Sequence, residues 1–386
     1  MAEHRAYLDY NASAPLLPAA RVAVVAALDA ANPSSVHAEG RAARRLVEDA
    51  RRDVAALVNA KPDHVFFTSG ATEAAVTLLS PDWRMGRAAL RMARLYVSAA
   101  DHPCILNGGR FAREKIVRIG VTPDGIIDLE TLGVALASHD KAEGLPLVAM
   151  HAANNETGVI QPIAEIATIV KAAGGLLVVD AVQAAGRIPL DMSAPYADYL
   201  ILSSHKLGGP KGIGAIVAAS DLMMPAPLVT GGGQEKGHRG GTENLAAIAG
   251  FGAAAREGLA GLADIEVVRQ RRDAIEAIVT ELVPDAEIFG KRVERLANTT
   301  FFAIPGAKAE TVQIAFDLAG VALSAGSACS SGKVGPSHVL KAMGHGEEGG
   351  VLRVSIGAAT TADEVEQFRK ALAGIVARRA ARERAA

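Results

Sequence analysis

Short apolar runs that alternate with helix-length amphipathic stretches constrain this chain more than any other feature of its sequence. "HVFFTS" (64–69), "RLYVSA" (94–99), "PLVAMHAA" (146–153), "GLLVVDA" (175–181), "DYLILSS" (198–204) and "GAIVAA" (214–219) read as strands. Among them, "RAARRLVEDARRDVAALVN" (41–59) and "IAEIATIVKAAG" (163–174) carry apolar residues at helical spacing. This alternation predicts an α/β architecture with a mostly parallel central sheet flanked by helices. With 386 residues the chain exceeds the size at which one core usually stops growing. After about residue 255 the pattern changes to a long helix (roughly 262–283), then "NTTFFAIP" (298–305), a cysteine-bearing loop and "VLRVSIG" (351–357). A large domain over residues 15–255 is expected, with a smaller α+β domain made of 1–14 and 256–386 and a Cys loop over 324–335.

The formal net charge of −2 leaves no basic field of the kind nucleic-acid binding needs. The local cluster Arg378, Arg379, Arg382 and Arg384 reads as a solvated helix end. Charges at Glu3, His4, Arg5 and Asp9 break up any secretory apolar core, and no run of about 18 uncharged apolar residues occurs. No membrane association is expected. Two cysteines, Cys104 and Cys329, are too few for a disulfide framework or a self-contained metal site, so no metal and a reducing cytoplasm are the expectations.

"ILSSHKLGGPKG" (201–212) runs a strand into Ser203, His205 and Lys206, where open α/β sheets hold ligands. A lysine there can form a Schiff base if its surroundings keep the amine partly deprotonated; Lys211 is the competing lysine. "GLLVVDAVQAAG" ends an apolar strand in Asp180 and offers Gln183 three residues on. A carboxylate so placed needs a partner to offset its desolvation, and a protonated pyridine nitrogen would serve; a helix N-cap is the structural alternative. The pair Asp180 and Lys206 therefore points to pyridoxal phosphate, whose ring nitrogen meets an acid and whose aldehyde meets a lysine. In "FFTSGATEAA" (66–75) a helix opening at Ala71 and Thr72 offers amides to an anion, with Ser203, His205 and "GGTEN" (240–244) converging on it. His102 could lie over a flat ring, and Asn154 and Asn155 could bond cofactor or substrate. Arg353 is either a carboxylate clamp or half of a structural ion pair. Cys104, in an apolar run, reads as packing.

These segments resemble the cysteine desulfurases of the NifS/IscS kind, in the class V aminotransferase family. The similarity runs in order through "YLDYNASAP" (7–15), "NPSSVHAEGRAAR" (32–44), "FTSGATEA" (67–74), "DHPCIL", "NNETGVIQPI", "VDAVQAAG", "SSHKLGGPKGIGA", "GGGQEKGHRGGTEN" (231–244), "SAGSACSSG" and "LRVSIG". It departs at Ala75, where the family often has asparagine, at Asp101, where glutamate is usual, and in an arginine-rich stretch beyond. The resemblance implies the fold type I architecture of pyridoxal 5'-phosphate enzymes. It implies that Lys206 holds the cofactor covalently, Asp180 meets the pyridine nitrogen, Gln183 sits near the phenolic oxygen and His102 stacks on the ring. Thr72, Ser203 and His205 would bind the phosphate, joined by Thr242 from the other subunit of a homodimer. Asn154 and Arg353 would hold the substrate carboxylate, with Asn11 nearby.

The implied reaction converts L-cysteine to L-alanine and leaves the sulfur on Cys329 as a persulfide. From there it would pass to an acceptor such as an iron-sulfur scaffold protein or a thio-cofactor or tRNA thiolation system. Gly326, Gly332 and Gly335 give the Cys329 segment a permissive backbone for such a transfer. A selenocysteine lyase and an ordinary aminotransferase-like enzyme are the alternatives within the same chemistry. A sulfur-transfer platform without catalysis is disfavoured by Lys206 and Asp180.

Overall fold

A computed structural model of the chain describes residues 5–325, 337–346 and 349–383. Its large sheet runs in the order Met223–Pro225, Asp82–Met85, Ala88–Ser98, Leu145–His151, Leu176–Asp180, Tyr199–Ser203, Gly214–Ala218 and Val65–Thr68, with Ile116–Ile119 also paired to Ala88–Ser98. The strands from Ala88–Ser98 to Tyr199–Ser203 are parallel; Gly214–Ala218 runs against them, and Val65–Thr68 runs against Gly214–Ala218. Val65–Thr68 therefore points the same way as the parallel set. The carboxyl ends of five strands meet along one edge, where α/β sheets bind ligands.

The central strands are apolar throughout because both faces are covered. Leu177 and Val179 join one core cluster with Val47, Val54, Ile166 and Phe251 from the helices. Leu176 and Val178 join the opposite one with Phe66, Leu78 and Trp83. Such a strand has little freedom of register, so the residue at its end is placed firmly.

A second, antiparallel sheet runs Glu287–Ile288, Thr299–Ala303, Val351–Ser355, Ser324–Ala325. Its core takes Ile275 and Val279 from helix Ile265–Leu282, Phe368 and Leu372 from helix Ala362–Glu383, and Ala6 and Leu8 from the N-terminal arm. Ala6–Tyr7 pairs with Val321–Ala322, and Asp9 bridges to Ser355. The arm then crosses to the large sheet at Asn11.

Three strands of the large sheet have no counterpart in the sequence reading: Asp82–Met85, Ile116–Ile119 and Met223–Pro225. Ala88–Ser98 also begins six residues before "RLYVSA". Arginines hide the hairpin, since Arg84, Arg91 and Arg94 interrupt what would be an apolar run. Their long side chains extend to solvent, and Arg91 bonds Asp82 across the hairpin at 2.7 Å.

Candidate active site

A cavity of about 580 Å³ opens at the shared carboxyl edge of the large sheet. Successive strand ends deliver Ser69 to Glu73, His102, His151, Asp180, and Ser203 to Lys206, while the small sheet contributes Arg353 and the arm contributes Asn11. Residues more than 300 positions apart thus share one wall.

Lys206 is half-buried, and its Nζ donates to the carbonyls of Asn11 and Ala12, the latter at 2.9 Å. Lys211 also lines the cavity but is exposed. Burial separates the two candidates in favour of Lys206. The Asn11 carbonyl also accepts the Gln183 amide (3.0 Å), and the Asn11 side chain is buried among Arg187, Asn298 and Thr299. Arg187, a residue missed in the sequence, donates to Gln183 Oε1. That bond fixes the Gln183 amide so that its NH₂ is the donor facing Asn11 and the cavity. An arginine one helical turn beyond Gln183 was the available signal.

Asp180 is buried at the end of its strand, and its one side-chain hydrogen bond among the described residues comes from the Val182 N–H at 3.0 Å. Val182 lies in a turn, so the capping alternative is met only in this local form. Burial pushes the Asp180 carboxyl up to about 6, with Asp101 adding to the rise and His151 and Lys206 opposing it. His102 is pushed down to about 4 by burial, then by Lys206 and His338. It is therefore neutral at pH 7. Its Nδ1 accepts the Cys104 N–H at 3.2 Å and lies 3.0 Å from Cys104 Sγ, so its proton sits on Nε2. Cys104 does pack in the core expected for it, but it also lines the cavity.

Helix Ala71–Leu78 starts at the cavity with no side chain capping it, which leaves its first amides for an anion. Ala71, Thr72, Ser203 and His205 all line this end. Glu73 turns back instead, bonding the Ser69 N–H at 2.8 Å and Arg239 at 3.2 Å. The loop carrying Arg239 and Thr242 is in turn clamped by Glu235, whose carboxylate meets buried Arg51 at 2.8 and 3.0 Å. Thr242 is exposed and does not line the cavity within one chain.

Arg353 lies 2.9 Å from Asp9 and 3.1 Å from Ser324 Oγ, and its Nη1 donates to the Asn155 carbonyl at 2.9 Å. The ion-pair alternative is therefore realised, yet Arg353 lines the cavity and its buried Nε has no hydrogen-bond partner among the described residues. Asn154 stands behind the wall: its amide donates to the Ala100 carbonyl and its oxygen accepts the Glu156 and Thr157 N–H groups. Asn155, not Asn154, reaches the cavity lining. The turn after Asn154 consumes its side chain. Cys329, with Gly326, Gly332 and Gly335, lies outside the described residues.

The shifted groups give opposite pH signatures in the cofactor-free chain. His102 takes its proton near 6.5 when unfolded but only near 4 when folded, so its contribution to stability is lost as pH falls through that window. The stability advantage of the parent over His102→Asn should narrow from pH 6.5 to 4. Asp180 is raised from 3.8 to about 6, so the parent should gain on Asp180→Asn as pH falls from 6 to 3.8. Urea unfolding across this range reads both; parallel curves for parent and variants would contradict the assignment.

The aminotransferase class-V family description matches residues 6–368. The chain belongs to the class V aminotransferase family. Over 382 residues it is 42% identical to a cysteine desulfurase of Frankia sp. (strain EuIK1), covering 93% of this chain and 88% of that one. It is 38% identical over 386 residues to a cysteine desulfurase of Cereibacter sphaeroides, covering 96% of each. The X-ray structure of a NifS-like protein from Rickettsia africae ESF-5 matches with a TM-score of 0.86 at 32% identity, covering 96% of this chain and 99% of that one. The fold is thus fold type I of pyridoxal-phosphate enzymes, as expected.

A class V aminotransferase implies pyridoxal phosphate, and the cavity's groups fit it. A buried carboxylate without a cation bonded to it suits a ring nitrogen, and an uncapped helix start beside Ser203 and His205 suits a phosphate. Lys206 lies within the same wall for the aldehyde.

Proposed function

We propose that this class V aminotransferase is a pyridoxal-phosphate-dependent cysteine desulfurase that converts L-cysteine to L-alanine and passes the sulfur to Cys329. The observation that carries the reading is the meeting of Lys206, buried Asp180 and Arg353 in one cavity, in a chain whose full-length relatives are cysteine desulfurases. When bound, pyridoxal phosphate supplies an aldehyde for covalent attachment and a ring that accepts electron density from the substrate Cα.

The chain's own groups account for the rest. Asp180 would hold the ring nitrogen, and His102, a neutral imidazole, would stack on the ring. Thr72, Ser203 and His205 would hold the phosphate, together with the Ala71 and Thr72 amides. Gln183, its amide fixed by Arg187, would donate toward the phenolic oxygen. Arg353 offers its guanidinium to the substrate carboxylate. Lys206 Nζ takes the Cα proton. The Cys329 thiolate then attacks the substrate sulfur; the Cβ–S bond breaks with its electron pair left on carbon, which takes a proton and becomes the methyl of alanine. L-cysteine and one enzyme thiol give L-alanine and one enzyme persulfide, which balances.

Two described flanks support Cys329 in this role. Ser324 bonds Arg353, and His338 bonds the carbonyl of Asp101, beside His102. Both flanks thus sit beside residues that line the cavity, Arg353 and His102. A homodimer is supported by the exposed apolar side chains of Val22, Val25 and Leu28, and by exposed Thr242, which would reach the other subunit's phosphate. The persulfide would go to an iron-sulfur scaffold or a thiolation acceptor.

Cys329→Ala should lower L-cysteine-dependent alanine formation by about 100-fold or more, as expected for loss of a nucleophile. Alanine released with L-cysteine as sole substrate is the measurement. Full alanine formation in that variant would remove Cys329 as the sulfur acceptor, whereas a 3-mercapto-2-oxo acid in place of alanine would favour aminotransferase chemistry.

A further inference from the structure

His151 stands in the cavity wall, 3% exposed, and its Nε2 has no hydrogen-bond partner among the described residues. Its other ring nitrogen lies 2.6 Å from Oδ1 of Asp101, a carboxylate with no exposed surface. Asp101 also accepts the Ser98 N–H at 2.7 Å and the His151 N–H at 2.8 Å. An ionised carboxylate only accepts, so the proton of the ring contact belongs on Nδ1, and Nε2 is the position left to gain or lose one.

The group beside it is Asp180. His151 and Asp180 are register partners on adjacent parallel strands, so their side chains leave the same face of the sheet. Asp101, His151 and Asp180 thus form a row across three neighbouring strand ends, and the charged or titratable groups that line the cavity with His151 and Asp180 are Lys206, His102, His205, Glu73, Lys211, Cys104 and Arg353. Two buried carboxylates without a cation between them are costly, and a protonated imidazole in the middle removes most of that cost. The opposing effects of Asp101 and His151 on the Asp180 carboxyl agree with this order.

We propose that Asp101 and His151 are positioning residues for Asp180: Asp101 fixes the Nδ1–H of His151, and protonated Nε2 faces Asp180 and keeps it a carboxylate. Given the cofactor reading above, the pair thereby keeps the ring nitrogen protonated without touching the ring or the substrate.

The test uses the full chain with its histidine side chains labelled with ¹⁵N and followed by NMR against pH, His151→Gln identifying the signal. Asp180→Asn should lower the pH at which His151 loses its Nε2 proton by about one unit or more, as expected for loss of a charge partner, and Asp101→Asn should do the same. A midpoint that moves in Asp101→Asn but not in Asp180→Asn would overturn the proposal and make His151 a strut for Asp101 alone. In the loaded enzyme, a ¹⁵N-labelled ring nitrogen should lose its proton at lower pH in His151→Gln than in the parent; an unchanged midpoint there also counts against it. A chain that binds no pyridoxal phosphate would contradict the proposed function, while the histidine titration would still decide this inference.

Discussion

Lys206→Ala should lower kcat for alanine formation from L-cysteine by about 10⁴-fold, the upper end of what a positioned base contributes. The amine is held at the end of strand Tyr199–Ser203 by the carbonyls of Asn11 and Ala12. Among the described residues no other lysine shares that burial in the cavity, since Lys211 is exposed. Lys211→Ala should therefore retain activity within a few-fold, which makes the pair a test of which lysine acts. Steady-state alanine release measures both. Comparable losses in the two variants would remove Lys206 from its role.

Asp180→Asn should lower kcat by about 10²- to 10³-fold, the range found when one preorganised electrostatic partner is removed. An amide cannot supply the negative charge that a protonated ring nitrogen needs, although it fits the same space. The loss should fall on kcat more than on KM, because Asp180 lies on the sheet side of the cavity while Arg353 comes from the small sheet. Initial rates over a range of L-cysteine concentrations separate the two. A change confined to KM would mean that Asp180 acts on substrate binding instead.

Most of the large sheet is legible in the sequence because its strands are covered on both faces and read as unbroken apolar runs. Leu176–Asp180 and Tyr199–Ser203 are the clear cases. The hairpin Asp82–Met85 with Ala88–Ser98 is not legible, since its outer half is solvent-exposed and its arginines erase the apolar signal. Lys206, Asp180 and the helix start at Ala71 are readable as strand-end chemistry. The roles of Asn155, Arg187 and His151 depend on contacts between distant segments. Nothing local to "NNETG" says that the Asn154 side chain is used up by the turn it begins, or that the Asn155 carbonyl meets Arg353. Likewise, the row Asp101, His151, Asp180 exists only once three strands are aligned. Arg353 realises the ion-pair alternative with Asp9 and also lines the cavity.

The central claim is that the sulfur of L-cysteine passes to Cys329. Mass spectrometry of the peptide bearing Cys329, after incubating the chain with pyridoxal phosphate and L-cysteine, tests it most directly. The account predicts an adduct of one sulfur atom on that peptide, absent in Lys206→Ala. Sulfide and alanine formed with no adduct on Cys329 would contradict it.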